Sequence, residues 1–209
     1  MRTKLLLLCA CCALLAPAGS ASAARSGSRP ASAPCAAKGS TTVALNPLAR
    51  VYVRSRRDDA DQHVLIGCLL HSGQRVQLAS WFNSGLSRGD ELAPQVWLRE
   101  RIVAVNRFGC SPDPLSPADC SGGARTVSLR TGETLRRANT GSSVAALVQG
   151  PRGSFAYVSS GGAVVKSDAT GETVVLDAGP GVDPTSLAVA DARVYWLRAG
   201  APQSALLGP

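Results

Sequence analysis

From residue 41 onward the chain is a succession of short apolar runs, each closed off by Gly, Pro, Asp or Ser. The first runs are RVYV at 50–53, HVLIGCLL at 63–70, RVQLA at 75–79, QVWL at 95–98 and RIVAV at 101–105. RTVSL at 125–129, ETLRR at 133–137, SVAALV at 143–148, FAYV at 155–158 and AVVKS at 163–167 follow. ETVVLD at 172–177, SLAVA at 186–190, RVYWL at 193–197 and SALL at 204–207 complete the series. Such runs are short for helices and rich in β-branched and aromatic residues, so they predict strands. The residues between them are those that turns require. No segment predicts a helix, and strands so short and so regularly spaced confine the chain to antiparallel all-β structure.

The chain also repeats itself. Thr131-Gly132-Glu133 recurs 39 positions later as Thr170-Gly171-Glu172, each between two apolar runs, and Ser72-Gly73-Gln74 holds the equivalent place after HVLIGCLL. RVYV, RIVAV, FAYV and RVYWL form a second matching set. Three insertions lengthen the earlier intervals: RSRRDDADQ at 54–62, WFNSGLSRGDELAP at 81–94 and GCSPDPLSPADCSGG at 109–123. A period near 40 with about four strands per unit is the pattern of a propeller blade. Four units result, at 41–80, 95–138, 143–178 and 185–207. The last lacks an outer strand, and TTVAL at 41–45 is expected to supply it and close the ring. In RVYWL, Val194 and Trp196 share one face and Tyr195 and Leu197 the other, so both faces are expected to be covered by neighbouring sheets, whereas a half-exposed strand alternates. The fold expected is a small or incomplete β-propeller of about four antiparallel blades in a domain at 41–209. A twisted β-sandwich is the alternative.

Within PRGSFAYVSSGGAVVKSDATGETVVLDAG at 151–179, the Pro-x-Gly turn at 151–153, the Tyr157-Val158 strand and the Asp168-x-Thr170-Gly171 hairpin resemble one blade of the YVTN/WD40-like β-propeller repeat proteins. The resemblance is looser over 95–138 and 185–207. It implies a fold and no particular activity, because propellers host many functions. The chain after its leader also resembles uncharacterised secreted proteins of GC-rich bacteria, which adds no chemistry.

The N-terminus predicts export. Arg2 and Lys4 precede an apolar run from Leu5 to Ala16, and Ala21-Ser22-Ala23 has the small-x-small form of a cleavage site. This is the form of a signal peptide at 1–23, too short to span a bilayer, which needs roughly 20 apolar residues. A secreted or envelope-associated product without a transmembrane segment is expected; lipid attachment at Cys9, Cys11 or Cys12 is the rival. Residues 24–40 are rich in Ala, Ser, Pro and Gly and read as a flexible leader, ordered at most near Cys35.

Four cysteines remain beyond the signal peptide, an even number that suggests two disulfides. Cys35–Cys68 and Cys110–Cys120 are the favoured pairs of three possible connectivities. No C-x-x-C spacing supports a metal site. Past residue 23 the charge is +6, from 20 basic and 14 acidic residues. The cations scatter, with small groups at Arg54, Arg56 and Arg57 and at Arg136 and Arg137, which argues against a nucleic-acid partner. An unknown protein or a cell-envelope glycan is the partner expected.

In an up-and-down blade with strands a to d, the b–c and d–a connections share one rim. Insertions 54–62 and 109–123 are b–c connections and 81–94 is a d–a connection, so all three are expected on the same rim. Long loops in a compact domain commonly carry function. Trp81, Phe82, Asn83, Arg88 and Asp90 are the ligand-binding residues expected there, against the plainer reading that Trp81 and Phe82 pack between blades. Gly85-Leu86-Ser87-Arg88-Gly89 matches the nucleophile-elbow motif but lies in a long loop, and both histidines precede Ser87. Asp58, Asp59 and Asp61 do not fit a calcium loop, and His63 and His71 stand roughly 26 Å apart on an extended strand. No catalytic residue, metal ligand or cofactor is expected. The function expected is that of an exported non-catalytic binding module; the alternative is a small propeller lyase or hydrolase acting at a central channel.

Overall fold

A computed structural model describes residues 35–56, 62–82, 94–110 and 120–208, with the backbone alone at Phe82, Cys110 and Cys120. The expected signal peptide, Asp58, Asp59, Asp61, Asn83, Ser87, Arg88 and Asp90 lie outside these residues. Every apolar run from residue 41 onward becomes a strand, and among the described residues the only helical element is one 3-10 turn at Pro151–Gly153.

Among the described residues four antiparallel sheets follow one another along the chain. The first holds β1 (Thr41–Leu45), β2 (Ala49–Ser55), β3 (Gln62–Leu69) and β4 (Arg75–Phe82). The second holds β5 (Val96–Arg99), β6 (Ile102–Cys110), β7 (Cys120–Ser128) and β8 (Thr134–Asn139). The third is β9 (Val144–Gln149), β10 (Phe155–Ser159), β11 (Val164–Ser167) and β12 (Thr173–Asp177). The fourth has only β13 (Val182–Ala190), β14 (Arg193–Arg198) and β15 (Ala201–Leu206). Strand order equals chain order in each, so every sheet is a simple meander.

The sheets pack face to face. Val51, Leu65, Leu78 and Trp81 of the first meet Val103, Val105, Val127 and Leu129, which belong to or directly follow strands of the second. Ala104, Ala124 and Ala138 on the other face of the second sheet meet Leu147, Phe155, Tyr157 and Val165 of the third. Val148, Ala156, Val158 and Val164 of the third meet Leu187, Val194 and Trp196 of the fourth, with Leu207 just beyond β15. Each large apolar side chain so buried contributes about 1.5–3 kcal/mol. No cluster joins the fourth sheet to the first among the described residues. This pattern explains why RIVAV and FAYV are apolar at both parities, since each lies in a sheet covered on both sides.

Two expectations fail here. Thr41–Leu45 does not complete the fourth sheet; it pairs with β2 in its own sheet, Thr41 opposite Val53 and Leu45 opposite Arg50. The cause is a local turn in which Asn46 Oδ1 accepts the N–H groups of Leu48 and Ala49, each at 2.9 Å. A short hairpin needs far less loop-closure entropy than pairing with the other end of the chain. RVYWL is also covered on only one face: Val194 and Trp196 are buried, whereas Tyr195 is 41 % exposed.

The repeated turns share a glycine of left-handed conformation at the matching position. Gly73, Gly132 and Gly171 have φ of 71°, 77° and 91°, a left-handed conformation that side chains with a Cβ resist. Each lies in the turn joining the third strand of its sheet to the fourth. Gly73 and Gly132 donate to the carbonyls four residues earlier, Leu69 and Ser128, and Gly171 to that of Asp168.

The tail before β1 is anchored. Cys35 is bonded to Cys68, with S–S 2.04 Å and Cα–Cα 5.7 Å. The pair packs with Tyr52, Val64 and Ile66 on the face of the first sheet turned away from the second. Arg50 holds the same segment, donating to Cys35 O at 2.8 Å and Ser40 Oγ at 3.0 Å, while its guanidinium lies 4.8 Å from the Tyr52 ring centre. The leader is therefore packed from Cys35 onward.

Candidate functional site: a basic groove between the first two sheets

The register fixes where the long connections leave. Ser55, His63 and Trp81 form one cross-strand row near the end of the first sheet, so the β2–β3 and β4–β5 connections depart from the same end. In the second sheet the ladder runs to the Cys110–Cys120 pair at the start of the β6–β7 connection. At the other end lie the tight turns, where Gln74 Nε2 donates to Arg130 O at 2.8 Å between the two sheets.

An open groove of about 770 Å³ lies between β4 and β6–β8 at the end that bears the long connections. One wall is the stretch Gln77–Ser80; the other is built on Arg107, Gly123, Arg125, Arg137 and Asn139. Pleat and register bring these together. Arg125 stands opposite Val105 and Arg137, and Arg107 stands opposite Gly123, which stands opposite Asn139. Directly opposed residues share a face, and Val105 and Val127 mark that face as the one turned toward the first sheet. Arg125 reaches across to donate from Nη2 to Leu78 O. Burial, then the charges of Arg137 and Arg107, hold its pKa below the ordinary guanidinium value. Arg107 and Arg137 are exposed.

A supporting bond fixes the strand that enters this end. Gln95 N–H donates to Asn106 Oδ1, whose residue is 7 % exposed, and Gln95 Nε2 donates to Ala145 O at 2.9 Å. The β4–β5 connection therefore ends on a residue tied to both the second and third sheets.

The expected site residues fare differently. Trp81 is 7 % exposed. It packs between the first two sheets and stacks on His63, with ring centres 5.5 Å apart; its burial describes a packing role. Phe82 continues the ladder opposite Gln62. Asn83, Arg88 and Asp90 lie outside the described residues. Of the arginine groups read from the sequence, Arg136 and Arg137 diverge: Arg136 Nε donates to Asp168 O at 3.1 Å in the β11–β12 turn, whereas Arg137 faces the groove. Sequence reading missed the grouping of Arg107, Arg125 and Arg137, because it depends on strand register. The available signal was parity within RTVSL and ETLRR, which sets Arg125 with Val127 and Arg137 against Arg136. Among the described residues no three His, Cys, Asp or Glu side chains gather closely enough to hold a metal ion, and no helix is long and apolar enough to cross a membrane.

No family model and no curated protein matches the chain. Among solved structures it is similar to the cobalt-substituted ACO of Synechocystis at 11 % identity and a TM-score of 0.33. That similarity covers 75 % of this chain and 44 % of the other, so the chain spans less than half of that protein. At this level it assigns neither fold nor chemistry.

Proposed function

We propose that the four sheets are blades of an incomplete β-propeller and that the chain is an exported, non-catalytic binding module. Its binding face is the rim formed by the connections at 54–62, 81–94 and 109–123, and its ligand is a protein or a glycan of the cell envelope. The observation that carries this reading is the departure of all three long connections from the end of the sheets where the basic groove lies. The opposite end carries short turns closed by their own hydrogen bonds. Rigid sheets that present long connections on one side are a common way to build a recognition surface. The Cys35–Cys68 bond is compatible with an oxidising compartment.

The test is retention. The immobilised chain is incubated with fractionated envelope glycans and, separately, with secreted proteins. The expected result is a retained fraction that is lost when residues 83–93 and 111–119 are replaced by short Gly–Ser links, with the circular dichroism spectrum unchanged. Retention that survives both replacements in a folded chain contradicts the reading, as does the absence of any retained fraction.

A further inference from the structure

Like charges directly opposite each other across a β-ladder destabilise it. Arg125 and Arg137 are such a pair, and Arg107 sits on the same face in the next row, diagonal to Arg125. Among the described residues none of the three guanidinium groups forms an ion pair with a carboxylate. Gly123 stands between Arg107 and Asn139 in its row and puts no side chain into the space they border. A Cβ there would come no closer than 3.4 Å to its nearest neighbour, the carbonyl of Ala138. Glycine is thus not demanded by crowding, and its φ is not in the left-handed region. Glycine weakens a strand interior and often marks a bulge, a tight bend or the close approach of a ligand or another backbone; the ladder is in regular register at Gly123.

The surrounding groups have one chemistry in common. A guanidinium offers N–H donors in a planar fork that matches a phosphate or sulfate group, two bonds at a time. Asn139 and Ser121 add neutral groups to the same groove. Burial of Arg125 makes the mutual repulsion costlier than it would be in open solvent, and a bound dianion would reverse its sign.

We propose that the notch over Gly123, bordered by Arg107, Arg125, Arg137 and Asn139, binds a tetrahedral oxyanion, the phosphate or sulfate group of an anionic polymer. The proposal rests on the rim reading for the polymer that carries the group, and on the groove alone for the oxyanion itself.

The experiment follows the thermal unfolding midpoint of the full chain as inorganic phosphate, and separately sulfate, replaces chloride at constant ionic strength. The wild-type midpoint rises and saturates, and the stronger of the two anions names the group. The Arg107→Gln/Arg137→Gln double variant, altered only at exposed positions, starts from a higher midpoint in chloride and binds at least tenfold more weakly. Gly123→Asp, which places a carboxylate in the notch, also loses the response. Equal midpoints in chloride, phosphate and sulfate overturn the proposal, as does a double variant that responds like the wild type. If the oxyanion response is absent while column retention still depends on the long connections, the notch is refuted and the rim reading stands. A saturable, arginine-dependent response without any rim-dependent retention supports the notch and refutes the rim.

Discussion

Trp81 stands at the boundary between packing and presentation. It follows the residues that line the groove, yet its ring is enclosed by the first two sheets and by His63. Trp81→Ala is expected to destabilise the fold by about 3–5 kcal/mol, measured by denaturant unfolding; an unchanged midpoint would contradict the packing role and favour ligand contact. Asp168 gives a second residue-scale test. Its carboxylate accepts the Thr170 hydroxyl at 2.6 Å and the N–H groups of Thr170 and Glu172 at 2.9 and 3.2 Å. The Thr170 hydroxyl is the chief cause that lowers its pKa, opposed by desolvation and aided by the two N–H groups and Lys166. A carboxyl with a depressed folded value supports the turn fully above the ordinary carboxylate range, and that support is lost as the pH falls through the depressed value. The equivalent β7–β8 turn uses the hydroxyls of Ser128 and Thr131 instead. Acid is therefore expected to speed amide exchange at Gly171 and Glu172, relative to intrinsic rates, more than at Gly132 and Glu133. Equal changes at both turns would contradict this account.

The elements were almost fully legible, because strand identity depends on local composition and turn chemistry. All fifteen strands of the described residues overlap apolar runs visible in the sequence, and the matched Thr-Gly-Glu turns close matched hairpins. Two features were not legible. The partner of Thr41–Leu45 depended on the side-chain amide of Asn46, and the exposure of Tyr195 depended on which sheets have neighbours. Neither is a property of the strand itself. The disulfide was one of the pairs favoured among three connectivities: Cys35 and Cys68 are 33 residues apart and tie the tail to the first sheet. Replacing both by Ala is expected to lower stability by about 4 kcal/mol on loop-closure arithmetic, read from the denaturation midpoint, and to expose the Tyr52–Ile66 face to proteolysis near Cys35. A loss below about 1 kcal/mol would show that the tail is held by Arg50 and packing alone.

At the scale of the whole molecule, sequence and site part company. The common end of the long connections follows from meander topology and could be read from run order alone. The arginine cluster could not, because Arg107, Arg125 and Arg137 meet only once β6, β7 and β8 are in register. The tryptophan and the loop residues drew attention instead because aromatic and mixed-charge segments are conspicuous in a sequence, whereas a cross-strand pair is not. On the proposed function, ligand arrives at the end bearing the long connections. Hydrogen–deuterium exchange of the full chain, with and without the retained envelope fraction, tests it most directly. Protection is expected at amides around Gly109, Ser121–Gly123 and Ala79–Trp81, with no change at the turns around Gly73, Gly132 and Gly171. Protection confined to those turns, or to the outer face of the fourth sheet around Tyr195, would contradict the account.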